Sequence, residues 1–174
     1  AFKATGQYAR AKSLLEESKA IAEELGDLTG LAVVCANLGV CYARMRDHAR
    51  SREMHEQEKA IWEKLGDRAG VATACANLGA CYFLTKDYAR ALMLLEKAKA
   101  IKMELGDRAG VAAECHNLGN CYHCMGEYGR ALALHGEDRA ISEELRDRAG
   151  VARATAACRS AEQAARPEPA PPTA

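Results

Sequence analysis

The chain has 174 residues with 24 lysines and arginines against 24 aspartates and glutamates, so nothing in its charge balance favours nucleic acid or an anionic membrane. Hydrophobic residues make up 49% and aromatics 5%, with abundant Ala, Leu and Glu and no β-branched runs, an all-helical composition. The longest apolar stretch, Leu31 to Tyr42, is broken by Asn37 and is too short to span a bilayer.

Taken in chain order, the elements repeat. Ala1 to Thr5 aligns with Cys81 to Thr85, the end of a helix, and Phe2 takes the place of Tyr82. The chain therefore starts inside a repeat, and further repeats are expected to precede it. A first outer helix over about 7–25 opens with Tyr8-Ala9-Arg10 and stops at Leu25-Gly26-Asp27, where Gly ends one helix and Asp caps the next. An inner helix follows over about 28–45, with a break at Arg46-Asp47. The cycle then recurs: outer 47–65, inner 68–85, outer 87–105, inner 108–125, outer 127–145 and inner 148–165. Leu65-Gly66-Asp67 and Leu105-Gly106-Asp107 mark one kind of break, Lys86-Asp87 and Gly126-Glu127 the other. A 40-residue shift lays Gly66–Tyr82 (GDRAGVATACANLGACY) on Gly106–Tyr122 (GDRAGVAAECHNLGNCY) with most positions identical. Residues 1–165 are thus an array of about three and a half to four repeats. Residues 166–174 hold all four prolines and no apolar period, and are expected to be a disordered tail.

The two helix types bury different faces. In 87–105, Tyr88, Ala91, Leu92, Leu95, Ala98, Ile101 and Leu105 form one apolar stripe, as in a helix with one face in solvent. In 28–45, Leu31, Val34, Leu38, Cys41, Tyr42 and Met45 crowd one side, while Val33, Asn37, Val40 and Arg44 form a second stripe. Stacked helix pairs would leave that stripe lining a groove. Gly39, Gly79 and Gly119 predict close approach to outer helices at Ala11, Ser51, Ala91 and Ala131. Glu58 and Asp138 replace the small Ala98, which predicts looser packing there. Trp62 is expected to be a partly exposed packing residue.

At this point the sequence resembles the tetratricopeptide repeat family. The signature W-x2-L-G-x2-Y appears as Cys35-x2-Leu38-Gly39-x2-Tyr42 and recurs from Cys75 and Cys115, with Cys in place of Trp. About six extra residues per repeat and a Gly-Asp break stand where the family has a proline. This 40-residue form is similar to Partner of Inscuteable/LGN-type adaptors of G-protein signalling, with kinesin light chains as relatives. The resemblance implies an all-α, right-handed superhelical solenoid of antiparallel helix pairs whose inner helices bind an extended peptide. It also implies that Asn37, Asn77 and Asn117, before each Leu-Gly, touch ligand backbone. Those adaptors often carry Arg four residues earlier; here Val33, Thr73 and Ala113 stand there, and Arg153 is the one basic counterpart.

The candidate peptide-binding residues are therefore Asn37, Val40 and Arg44, then Asn77, Ala80, Phe83 and Leu84, then His116, Asn117, Asn120 and His123, with Phe83 as anchor. No nucleophile–base pairing or phosphate loop is visible, and no enzyme is read here. Cys115, His116, Cys121, His123 and Cys124 are zinc-type ligands, but Cys121 and Cys124 lie far along the axis from His116, so neither metal nor other cofactor is expected. The cysteine pairs six apart face different ways on a helix; eight free thiols fit a reducing, cytoplasmic setting. The expected role is a scaffold or adaptor for a protein or peptide, without nucleic acid or membrane insertion, in G-protein or cytoskeletal signalling. The alternative is a structural or autoregulatory solenoid serving additional domains of a longer chain.

Overall fold

The computed structural model describes residues 2–166, with side chains from residue 8 onward. The expectations for Ala1, for the Phe2 side chain and for the tail over 167–174 lie outside that range. Eight helices account for nearly all of the described chain: α1 (Phe2–Leu25), α2 (Leu28–Arg44), α3 (His48–Leu65), α4 (Arg68–Leu84), α5 (Tyr88–Glu104), α6 (Arg108–Cys124), α7 (Tyr128–Glu144) and α8 (Arg148–Ala164). From α2 onward each lies within a residue or so of its predicted span. The chain divides into two compact units, Ala1–Leu105 and Gly106–Ala174. In the first, α1 packs on α2, α2 on α3, α3 on α4 and α4 on α5; in the second, α6 packs on α7, α7 on α8 and α6 also touches α8.

The breaks have the predicted chemistry. Asp27, Asp67 and Asp107 each accept the backbone N–H three residues on, at 2.8–2.9 Å, and Asp47 and Asp87 do the same at 3.1 and 3.2 Å. Each such cap satisfies a backbone donor that the helix itself leaves unpaired. Glu127 makes no side-chain cap bond, its extra methylene carrying the carboxylate past the same donor. Gly26, Gly66, Gly106 and Gly126 take the left-handed conformation, and at the intervening turns Arg46 and Lys86 are forced into it at φ 64° and 62°.

At the first helix the structure departs from the expected break before residue 7, because α1 runs unbroken from Phe2 to Leu25. Gln7 stands at the sequence position where Asp47 and Asp87 supply the cap. Leu105, predicted in the buried stripe of α5, is instead the C-cap residue and is 49% exposed, as Leu25 and Leu65 are exposed at the ends of α1 and α3.

The core is built between inner and outer helices. Val71, Ala72 and Cys75 of α4 meet Ala98 and Ile101 of α5, with Trp62 of α3 packed on their edge. Leu38 and Tyr42 of α2 join Met54 of α3 and Leu15 of α1. In the second unit, Val111, Ala112 and Cys115 of α6 meet Ile141 of α7. Truncating a buried leucine such as Leu38, Leu95 or Leu118 to Ala would cost about 2–5 kcal/mol. The signature tyrosines Tyr42, Tyr82 and Tyr122 each lie beneath a guanidinium from the next outer helix, Arg50, Arg90 or Arg130, at 5.3–5.7 Å. That contact explains why the Tyr/His-Ala/Gly-Arg opening recurs with the signature.

The mid-helix glycines are filled differently from expectation. Side chains occupy the space: the His55 ring at Gly39, Leu95 at Gly79 and the His135 ring at Gly119. Ser51 and Ala91 do lie nearby, with Ser51 Oγ donating to Gly39 O at 2.8 Å and Ala91 O near Gly79. Gly70 makes room for the Trp62 ring in the same way.

Candidate functional site

The second stripe of α2 is exposed as its spacing demanded: Val33, Asn37, Val40 and Arg44 all face solvent. Val40 is 46% exposed, and Leu84, at the end of α4, is 54% exposed. Arg44 and Leu84 come together with Ala43, Arg46 and His48 around one pocket of about 460 Å³. Ala80 is exposed, whereas Phe83 is half-buried with its ring 5.8 Å from that of Tyr88. Asn77 is half-buried, and its Nδ2 donates to Glu58 Oε2 of α3 at 3.4 Å.

On α6 the four remaining candidates are half-buried. Asn117 Nδ2 donates to Glu114 Oε2 of its own helix at 3.2 Å, and His123 lies edge-on to Tyr128 at 5.4 Å between centroids. His116 Nδ1 lies 3.2 Å from Asp138 Oδ2 of α7, an ion-pair distance without hydrogen-bond alignment. Asn120 makes no side-chain bond among the described residues. Much of the predicted polar surface of α6 is thus engaged within the fold, while Asn37 is left open.

Glu58 and Asp138 do not loosen the packing, contrary to the sequence reading. They are 1% and 0% exposed and act as hubs. Glu58 Oε2 meets His55 Nδ1 at 2.7 Å as well as Asn77. Asp138 accepts from Ser142 Oγ at 3.2 Å and from the Arg153 guanidinium at 3.1 and 3.4 Å, beside His116. A buried carboxylate is tolerated because such partners replace its water. The signal was present in the sequence: His55-x-x-Glu58 and His135-x-x-Asp138 share one register, where a third outer helix has Leu95 and Ala98.

Burial sets the titration of the neighbouring groups. His135, its Nδ1 buried without a partner, is pushed down to about 4, chiefly by desolvation and then by His116. Desolvation, followed by the charge of Arg153, also lowers His116 against the opposing pull of Asp138. All eight cysteines are free, and six are buried. Burial raises Cys121 to about 11 and drives Cys35, Cys41 and Cys81 upward, which keeps these thiols neutral and unreactive. Among the described residues, no three His, Cys, Asp or Glu side chains converge as a metal site would need. No described helix is long and apolar enough to cross a membrane.

A sequence comparison with curated proteins gives no match. The crystal structure of BtubC (BKLC) from P. vanneervenii is similar over 99% of this chain and 81% of that one, with a TM-score of 0.77 at 22% identity. A variant of a Podosopora anserina protein with nearly identical TPR-like repeats, assigned as a kinesin light chain, matches over 94% of this chain and 81% of its own, with a TM-score of 0.78 at 21% identity. RapI in its apo form matches over 91% and 62%, with a TM-score of 0.60 at 16% identity. At these identities the likeness shows the fold, an all-α solenoid of sequentially packed helices. The family described as Tetratricopeptide repeat matches residues 32–104 and again residues 114–149, more than half of the chain between them. The chain belongs to the tetratricopeptide repeat proteins.

Proposed function

We propose that this chain is a non-enzymatic interaction scaffold that holds an extended peptide segment of a protein partner against α2 and α4. The observation that carries the reading is the open strip on α2, Val33, Asn37, Val40 and Arg44, together with the pocket that Arg44 shares with Leu84. Large apolar side chains exposed in register beside an unpaired amide and an unpaired guanidinium suit a ligand with both backbone and side chains to satisfy. Among the described residues Asn37 has no hydrogen-bond partner, so its donor and acceptor remain available to a peptide backbone. In the second unit, taken by itself, His116, Asn117, Asn120 and His123 of α6 are the residues proposed to touch a ligand.

The repeated GDRAG and NLG segments, similar to those of Partner of Inscuteable/LGN-type adaptors, support a place in G-protein or cytoskeletal signalling. Arg153, the one counterpart of those adaptors' basic groove residue, is held by Asp138, which argues against a strong preference for acidic peptides in the second unit. Buried cysteines that form no disulfide support a reducing, cytoplasmic location.

The test is an arrayed library of extended peptides, with hits measured by fluorescence anisotropy against the wild type and Val40→Glu/Leu84→Glu. Both positions are exposed, so helical content should be unchanged while affinity falls at least about tenfold. The reading fails if no extended peptide binds, or if the variant binds the same peptides equally well.

A further inference from the structure

The turn from an inner helix to the next outer helix carries a ring contact that recurs along the chain. Phe83 at the end of α4 lies against Tyr88 of α5 at 5.8 Å between centroids, and His123 at the end of α6 lies against Tyr128 of α7 at 5.4 Å. At the turn from α2 to α3 the same positions hold Ala43 and His48. One ring is missing there, and the space is part of the pocket of about 460 Å³ walled by Ala43, Arg44, Arg46, His48 and Leu84. These walls come from α2, α3, α4 and the turn at Arg46, all internal to the first unit.

The charge of this pocket is unanswered. Elsewhere Arg68, Arg108 and Arg153 pair with Glu104, Glu144 and Asp138, and Arg90 and Arg130 lie over tyrosine rings. Among the described residues Arg44 and Arg46 have neither kind of partner. Asp47, the nearest acid in sequence, is spent on the cap of α3 and on the Arg50 guanidinium at 3.6 Å. His48 has its Nδ1 buried without a partner, which leaves Nε2 as the ring nitrogen able to meet a guest.

We propose that this pocket takes a phosphorylated tyrosine of the bound peptide, an assignment that rests on the peptide-binding reading above. The phenyl ring sits where Phe83 and His123 place their own rings at the later turns, against His48 and Leu84. Its phosphate, close to a dianion with three acceptor oxygens, meets both guanidinia. A single carboxylate would satisfy one guanidinium and leave the other unanswered. A phosphoserine would leave the apolar space beside Ala43 and Leu84 empty. The pocket's volume falls in the range of small-ligand sites.

Phenyl phosphate is the probe for the pocket itself, titrated by NMR, with inorganic phosphate and phenol as its two halves. It should bind at least about tenfold tighter than either half. Three substitutions each install what another repeat already carries: Ala43→Phe as at Phe83, Arg44→Leu as at Leu84, and Arg46→Gly as at Gly126, whose φ is also positive. Each should weaken phenyl phosphate at least about fivefold while circular dichroism shows an unchanged fold. In arrayed extended peptides, a central phosphotyrosine should bind at least about tenfold tighter than tyrosine, phosphoserine or glutamate at that place. Ala43→Phe should erase that preference and leave the tyrosine peptides' affinity as it was. Peptide binding with no uptake of phenyl phosphate overturns the proposal and leaves the peptide reading standing. Inorganic phosphate bound as tightly as phenyl phosphate overturns it too, as do titrations that ignore all three substitutions, or phosphotyrosine peptides no better than their tyrosine forms. Phenyl phosphate bound at these residues while no peptide binds in any form would overturn the peptide reading instead.

Discussion

Replacing His135 by Leu should stabilise this protein, and by more in acid than at neutrality. The ring is buried against Gly119, and its Nδ1 has no partner. At the same register Leu95 packs against Gly79, so the site is one that this fold already fills with leucine. At neutral pH the gain comes from removing an unsatisfied buried nitrogen, about 1–3 kcal/mol, less the loss of the ring contact with His116 at 5.3 Å. The acid component follows from protonation. In the folded chain His135 stays neutral down to about pH 4, whereas in the unfolded chain it takes a proton near 6.5. Between those values the unfolded state binds more protons, so stability falls as pH drops through that window. Each pH unit costs about 1.4 kcal/mol, or about 3 kcal/mol by pH 4. Asp138 opposes the shift, while His116, His123 and burial produce it. Urea unfolding of the wild type and His135→Leu at pH 7 and pH 4.5 isolates the effect, because other acid-labile groups largely cancel in the difference. A stability gap that stays constant between the two pH values, or a variant less stable at pH 7, would refute the reasoning.

The corresponding change on α3 should act in the opposite sense. His55→Leu leaves the buried Glu58 with Asn77 as its one bonded side chain and should cost about 2–4 kcal/mol in urea unfolding at pH 7; an unchanged midpoint would show that Glu58 does not depend on the imidazole. Lys86→Gly should stabilise by about 0.5–1 kcal/mol, the relief of a left-handed residue outweighing the added freedom of the unfolded chain, as read from the thermal midpoint.

Helix boundaries were legible because each is written locally: an Asp cap, a Gly or left-handed residue, and a 40-residue period that repeats the instruction. Where the local instruction was missing, at Gln7, the expected break was missing too. The polar cores were harder to read because their partners are remote. Glu58 looks like a lost alanine until it is seen beside His55, which changed with it, and beside the recurring Gly39 and Asn77, and these lie on three helices. The Leu-to-His and Ala-to-acid exchanges form one coupled substitution made twice, at His55/Glu58 and His135/Asp138. The imidazole needs the space of a glycine; the acid needs an amide or guanidinium from the following helix.

Acidic partners also separate the recurring asparagines, which the period alone makes equivalent. Asn77 spends a donor on Glu58 and Asn117 spends one on Glu114. The α1 position in the register of Glu58 is Ser18, which is exposed and donates to its own helix at Leu14 O. Val34 stands where α6 has Glu114, so among the described residues no carboxylate bonds Asn37, and its amide is exposed beside Val40 and Arg44. A structural amide is recognised by the acid that accompanies it, a ligand-facing one by the lack of any such partner. By that criterion Asn37 is the first of the three to assign to a bound peptide, and Asn77 is held first by the fold.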